Sequence, residues 1–118
     1  MTSSIAKLKH VAEVFKKLNS DFTVQQIGML LEVAVCENGI TMPELVEATG
    51  MSQGGVSRNV KMMSSYIEQF PGHKPVVQGF KILETKQDLN NRRCLSVSLS
   101  EKGKGIMERV TAILLEKE

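Results

Sequence analysis

The chain has 118 residues, enough for one domain with its own core but near the size at which a partner subunit helps to bury surface. Hydrophobic residues make up 42% and aromatic ones only 4%, with no Trp, so Leu, Ile, Val and Met build the interior, as in helix-rich proteins. A formal charge of +2 does not by itself mark a nucleic-acid binder, no apolar run approaches the roughly 18 residues of a membrane span, and two distant cysteines without a secretory leader read as free thiols of a reducing cytoplasm.

Residues 5–18, IAKLKHVAEVFKKL, place Ile5, Leu8, Val11, Phe15 and Leu18 at spacings of three and four among lysines, the pattern of an amphipathic helix. Thr23 followed by Gln26 is a capping-box signature for a second helix, and Gly39 suits a left-handed stop. Apolar residues run nearly all round that helix, which makes it central. In TMPELVEATG, Thr41 caps, Pro43 falls in the first turn, Glu44 closes the box and Gly50 terminates, giving a helix of about two turns. Ser52 caps again. Val56, Val60, Met63 and Ile67 then form a three-four stripe that predicts a helix reaching about Phe70.

PGHKP, residues 71–75, breaks the chain, and VVQGFKILETK and RCLSVSLS read as two extended runs around the polar tip QDLNNR. In the second run Leu95, Val97 and Leu99 point one way, and Cys94, Ser96 and Ser98 the other. A last helix from Ser100 carries Ile106, Val110, Ile113 and Leu114 on one stripe. The predicted order is α-α-α-α-β-β-α, mainly α with a small β-hairpin, with a strand residue or two at Ile40. The amphipathic helices at opposite chain ends, 1–20 and 100–118, are expected to form a shared interface through Ile5, Leu8, Val11, Phe15, Ile106, Val110, Ile113 and Leu114.

A short helix, a tight glycine turn, a second capped helix and a hairpin with a cationic tip are the parts of a winged helix-turn-helix. The second helix of such a motif fits a major groove about 12 Å wide, while the hairpin reaches neighbouring backbone or minor groove. The positions facing away from Val56, Val60 and Met63 are Gln53, Gly54, Ser57, Arg58 and Lys61. The hairpin adds Lys86, Asn90, Asn91, Arg92 and Arg93, with Lys81 nearby on its first strand. Gly54 and Gly55 stand just after the Ser52 cap, where glycine costs up to about 1 kcal/mol against alanine. Backbone N–H groups there lack an intrahelical acceptor, so bare backbone would let the helix start approach a phosphate. The competing explanation is easier packing on the preceding helix.

The stretches TMPELVEATGMSQGGVSRNV and DLNNRRCLSVSLSEKGK resemble the helix-turn-helix and the wing of the MarR family of bacterial winged-helix regulators, with Leu99, Ser100, Lys102 and Gly103 at the end of the wing pattern. The resemblance covers nearly the whole chain and implies a winged helix-turn-helix at 41–70, a wing hairpin at 76–99, and an obligate homodimer joined through its terminal helices. It also implies binding to a palindromic double-stranded DNA operator. Asn91 stands where the family has the Asp that braces a wing arginine, and the link 64–79 is longer than usual, which marks a divergent member.

The leading reading is a homodimeric, cytoplasmic transcription repressor that reads DNA sequence directly. The alternatives are a winged-helix protein-interaction module, which would be expected to lose the cations, and a switch responding to an unidentified small molecule or to Cys94 oxidation. Cys36 reads as small core filler, and Cys94 as an outward thiol beside Arg93. His10 and His73 are isolated, and Glu44 and Glu47 belong to a capped helix. Neither catalysis, a metal nor a cofactor has a basis in the sequence.

Overall fold

Four helix starts are built alike, with a hydroxyl side chain accepting from a backbone N–H three residues on. The computed structural model describes residues 2–90 and 93–116. Its elements are α1 (Thr2–Leu18), α2 (Val24–Ala34), β1 (Ile40–Thr41), α3 (Met42–Thr49), α4 (Gln53–Met63), β2 (Tyr66–Glu68), β3 (Val76–Gln78), β4 (Leu83–Gln87), β5 (Leu95–Leu99) and α5 (Glu101–Leu115). Thr23, Thr41, Ser52 and Ser100 are the respective caps of α2, α3, α4 and α5, and the first two form complete capping boxes with Gln26 and Glu44. Hydrogen bonds from the Thr41 hydroxyl and N–H hold the Glu44 carboxyl below its ordinary value. This cap is therefore intact at neutral pH and weakens only as pH falls through that lowered value.

The predicted helices are present, with two revised ends. The second stops at Ala34, not at Gly39. Gly39, at φ 90°, instead lets the chain cross β5: a Cβ there would meet the Ser96 hydroxyl at 2.6 Å and the Val97 carbonyl at 3.1 Å. The chain then enters β1, which pairs Ile40 with Val97 and Thr41 with Ser96. α4 ends at Met63 rather than near Phe70, because 66–68 leaves the helix and pairs antiparallel with 76–78. The long link is thus a second hairpin. Residues 76–78 consequently lie outside the wing, whose strands are β4 and β5, in register from Leu83 with Leu99 to Gln87 with Leu95.

One core joins the helices to the wing. Val56, Val60 and Met63 of α4 are buried together with Met29, Leu30 and Val33 of α2, Leu45 of α3, Ile82 just before β4, and Leu83 and Val97 of the wing. Burial of each such side chain contributes roughly 1.5–3 kcal/mol. Phe22 lies between Phe15 and Phe80, with ring centroids 6.1 and 5.5 Å away, and so links α1 to the root of the wing. α1 lies along α5, and the Lys7 ammonium donates to the Leu114 carbonyl at 3.3 Å.

The segment between β3 and β4 is the crossing point. The N–H groups of Phe80, Lys81 and Ile82 donate to the carbonyls of Met62, Ser64 and Met63, while Ser100 N–H donates to the Ile82 carbonyl and its hydroxyl to the Lys81 carbonyl at 2.6 Å. Gly103 of α5 packs directly on this segment: a Cβ there would be driven into the Ile82 carbonyl oxygen and within 3.3 Å of Leu99. Gly105, two residues on, has open space around the same position. Gly103→Ala should therefore destabilise the fold by roughly 1–3 kcal/mol through overpacking. Gly105→Ala should stabilise it by up to about 1 kcal/mol through helix propensity. Denaturant unfolding of both variants beside the parent measures the difference in sign.

Candidate nucleic-acid interface

α4 presents one apolar and one polar face. With Val56, Val60 and Met63 turned inward, Ser52, Gln53, Gly54, Ser57, Arg58 and Lys61 are all exposed, as the three-four spacing requires. α3 packs against α4 across the turn at Gly50, whose φ of 69° reverses the chain after α3. The Ser52 hydroxyl accepts from Gly55 N–H at 3.0 Å, which uses one of the donors at the helix start.

The two glycines differ. Gly54 is exposed, whereas Gly55 is buried. A Cβ on Gly54 would lie 3.2 Å from Arg58 Nη1, and one on Gly55 would lie 3.0 Å from the Ser52 hydroxyl and 4.0 Å from Arg58 Nη2. The guanidinium therefore folds back along the bare first turn. The expectation of a glycine pair open to a phosphate is corrected for Gly55, which faces its own cap.

Lys61, on the last turn, holds its ammonium 5.2 Å from the centre of the Tyr66 ring. Tyr66 belongs to the unexpected hairpin β2–β3, on which Ile67 opposes Val77 and both remain exposed. The root of that hairpin also requires glycine: Gly79, at φ 108°, passes so close to the Ser64 carbonyl oxygen that a Cβ would collide with it.

The wing closes by Asp88 N–H donating to the Cys94 carbonyl at 2.9 Å, and Asn90 N–H donates to the Asp88 carboxylate at 3.2 Å. Lys86 is exposed on β4 opposite Ser96, and Asn90 and Arg93 are exposed at the tip beside Leu89, which is 91% exposed. Asn91 and Arg92 lie outside the described residues. Lys81 does not join this group. It sits beyond the opposite end of β4, on the order of 20 Å from the tip at about 3.3 Å per residue, in a left-handed conformation at φ 62° beside the end of α4.

The terminal stripes also divide. Val11, Phe15 and Val110 are buried in the chain's own core, which removes them from the expected contact set, and Ile106 and Ile113 pack partly against that core. Ile5, Leu8 and Leu114 stay 59%, 61% and 51% exposed, and Leu115 is exposed beside them. The stripe was wider than one partner needs: its inner half joins α1 to α5, and its outer half remains open.

Two polar residues that the apolar periodicity passed over engage α4. The Asn59 amide donates to the Gly55 carbonyl at 2.8 Å and accepts from the Gln26 amide at 3.0 Å. An asparagine between Val56 and Val60, at the edge of a buried stripe, is the signal that could have marked it. Cys36 and Cys94 are half-buried free thiols. Among the described residues no group of three His, Cys, Asp or Glu could hold a metal ion, and no helix is long and apolar enough to cross a membrane.

No protein-family model matches the sequence, and no curated protein matches it. Solved structures do match its fold. The S. aureus MepR–DNA complex is 17% identical over 92% of this chain and 76% of that one, with a TM-score of 0.68. Wild-type MarR from E. coli in its apo form is 17% identical over 94% and 73%, with a TM-score of 0.57. Bordetella bronchiseptica BpsR, whose DNA binding is regulated by 6-hydroxynicotinic acid, is 17% identical over 92% and 68%, also with a TM-score of 0.57. Five helices, a β-hairpin wing and this agreement over more than nine-tenths of the chain establish that the protein has the winged helix-turn-helix fold of the MarR-type structures.

Proposed function

We propose that the protein is a divergent member of the MarR family, a homodimeric double-stranded DNA-binding transcription regulator that acts as a repressor at a palindromic operator. The observation that carries this reading is the exposed face of α4, with Gln53, Ser57, Arg58 and Lys61 on one side of a helix whose other side is fixed in the core. Gln and Arg are the side chains that read adenine and guanine edges by paired hydrogen bonds. Lys86 and Arg93 on the wing supply phosphate contacts or enter the minor groove. MepR, which shares the fold, has been solved bound to DNA. BpsR supports a small-molecule effector as a further property, its chemistry unassigned for this chain.

Selection of bound duplexes from a random pool tests the reading. Enrichment of a two-fold symmetric site with half-sites about 10 bp apart is expected. A pool without enrichment would move the reading to the protein-interaction module. Arg58→Ala should cost roughly 1–3 kcal/mol on the selected duplex and relax preference at one base pair, whereas Arg93→Ala should weaken all duplexes and lower the salt slope by about one.

Dimerisation is assigned to the open half of the terminal stripes. Leu8→Asp with Leu114→Asp should leave the fold intact, since both side chains are exposed in the single chain, and should yield monomers by sedimentation. A parent already monomeric at micromolar concentration would contradict the dimer.

The glycines give a third test. Gly54→Ala should raise stability by up to about 1 kcal/mol and weaken operator binding, because the methyl displaces the Arg58 guanidinium and holds the backbone off a phosphate. Gly55→Ala should gain less, since its methyl crowds the Ser52 cap, itself worth roughly 0.5–2 kcal/mol. Thermal melts paired with binding titrations separate the two; tight operator binding by the Gly54 variant would remove the close-approach role.

A further inference from the structure

The apolar face of α4 fixes how deep the helix sits, and because hydrophobic contact is non-directional it sets the rotation less sharply than a hydrogen bond does. A rotation of about 20° about the axis would move an atom about 6 Å from it by about 2 Å, enough to lose a hydrogen bond to a base edge. The main-chain bonds from residues 80–82 anchor the last turn of α4; the turn that carries Gln53 and Gly54 lies at the other end of the helix and needs a directional contact of its own if the face is to read sequence.

Resting on the DNA-binding reading above, we infer that Gln26 of α2 and Asn59 of α4 are a positioning pair that sets the rotation of α4 and so the sequence preference of the site. The bonds form an ordered relay. Thr23 N–H donates to Gln26 Oε1 at 3.0 Å, Gln26 Nε2 donates to Asn59 Oδ1 at 3.0 Å, and Asn59 Nδ2 donates to the Gly55 carbonyl at 2.8 Å. Gly55 N–H in turn donates to the Ser52 hydroxyl. Each amide is used at both ends, so flipping either one would set like atoms against each other twice. Gln26 Nε2 also lies 3.5 Å from the Met62 sulfur, which lets one side chain touch both the middle and the last turn of α4.

The relay begins in the capping box of α2 and ends in the first turn of α4, the turn that carries Ser52, Gln53 and Gly54. Asn59 is half-buried, so its bonds are shielded from competing water more than those of an exposed pair. The α2 cap follows α1 after a short turn in which Phe22 packs on Phe15. The angle of the reading helix is thereby referenced to the element that carries Ile5 and Leu8.

Separation of roles is available at Gln26. Gln26→Glu keeps the oxygen that accepts from Thr23 N–H, and with it the cap, but removes the donor to Asn59. Asn59→Leu removes both bonds of the second amide. Thr23→Ala serves as the control that weakens the α2 cap while leaving the pair in place. The readout is the ratio of affinity for the pool-selected duplex to affinity for a random duplex of equal length, measured at one salt concentration, with thermal midpoints alongside. Gln26→Glu and Asn59→Leu are expected to lower the ratio at least tenfold, and the double variant to fall no further than the weaker single one. Thr23→Ala is expected to lower the midpoint and keep the ratio. Folded Gln26→Glu protein whose ratio stays within threefold of the parent would overturn the inference and leave DNA binding standing. A parent that binds no duplex would overturn both.

Discussion

Three residues hold α4, the wing and the last helix together. The N–H groups of Phe80 and Ile82 meet the last two carbonyls of α4, which no residue of the helix itself can satisfy, and that of Lys81 meets the carbonyl of the Ser64 cap, while the carbonyls of Lys81 and Ile82 are taken by Ser100 at the start of α5. The Lys102 ammonium reaches the Phe80 carbonyl at 3.0 Å. Lys81 accepts a left-handed backbone to make this possible, at a cost of roughly 1–2 kcal/mol, and Gly103 leaves out a side chain. α4 and the wing therefore cannot shift independently near their junction. The proposed DNA binding would use that constraint, since helix and hairpin would have to meet two positions of one rigid ligand together.

Under the proposed function, charge placement is what would let a chain of net charge +2 meet a polyanion. Arg58 and Lys61 lie on the outer face of α4, and Lys86 and Arg93 on the wing, so cations gather on elements joined through residues 80–82. Their surroundings set their reach. Arg58 lies over the glycine turn and Lys61 lies against Tyr66, so each has a contact within the protein.

Much of this architecture was legible in the residues. Thr23, Thr41, Ser52 and Ser100 announce helix starts because a hydroxyl at that position satisfies a donor that nothing else can, and the alternation from Leu95 to Leu99 announces a strand for the same local reason. The outward set on α4 followed from periodicity alone. What stayed hidden depends on distant partners. Ile67 falls four residues after Met63 by coincidence, so it extends a helical stripe that Tyr66–Glu68 abandons for pairing with Val76–Gln78. Helical spacing likewise marks Val11, Phe15 and Leu8 as equals, although the core buries the first two and leaves the third open. Gly55 and Asn59 acquire their roles from the Ser52 hydroxyl and from Gln26 across the core.

Hydroxyl-radical cleavage of the selected duplex, with protein bound, tests the central claim most directly, because it reports which backbone positions the rigid helix-and-wing unit covers. Two protected segments related by two-fold symmetry are expected, about one helical turn apart, each flanked by a weaker protected minor-groove position where the wing lies. Uniform protection along the duplex, or protection that lacks the flanking wing position in the parent, would contradict it.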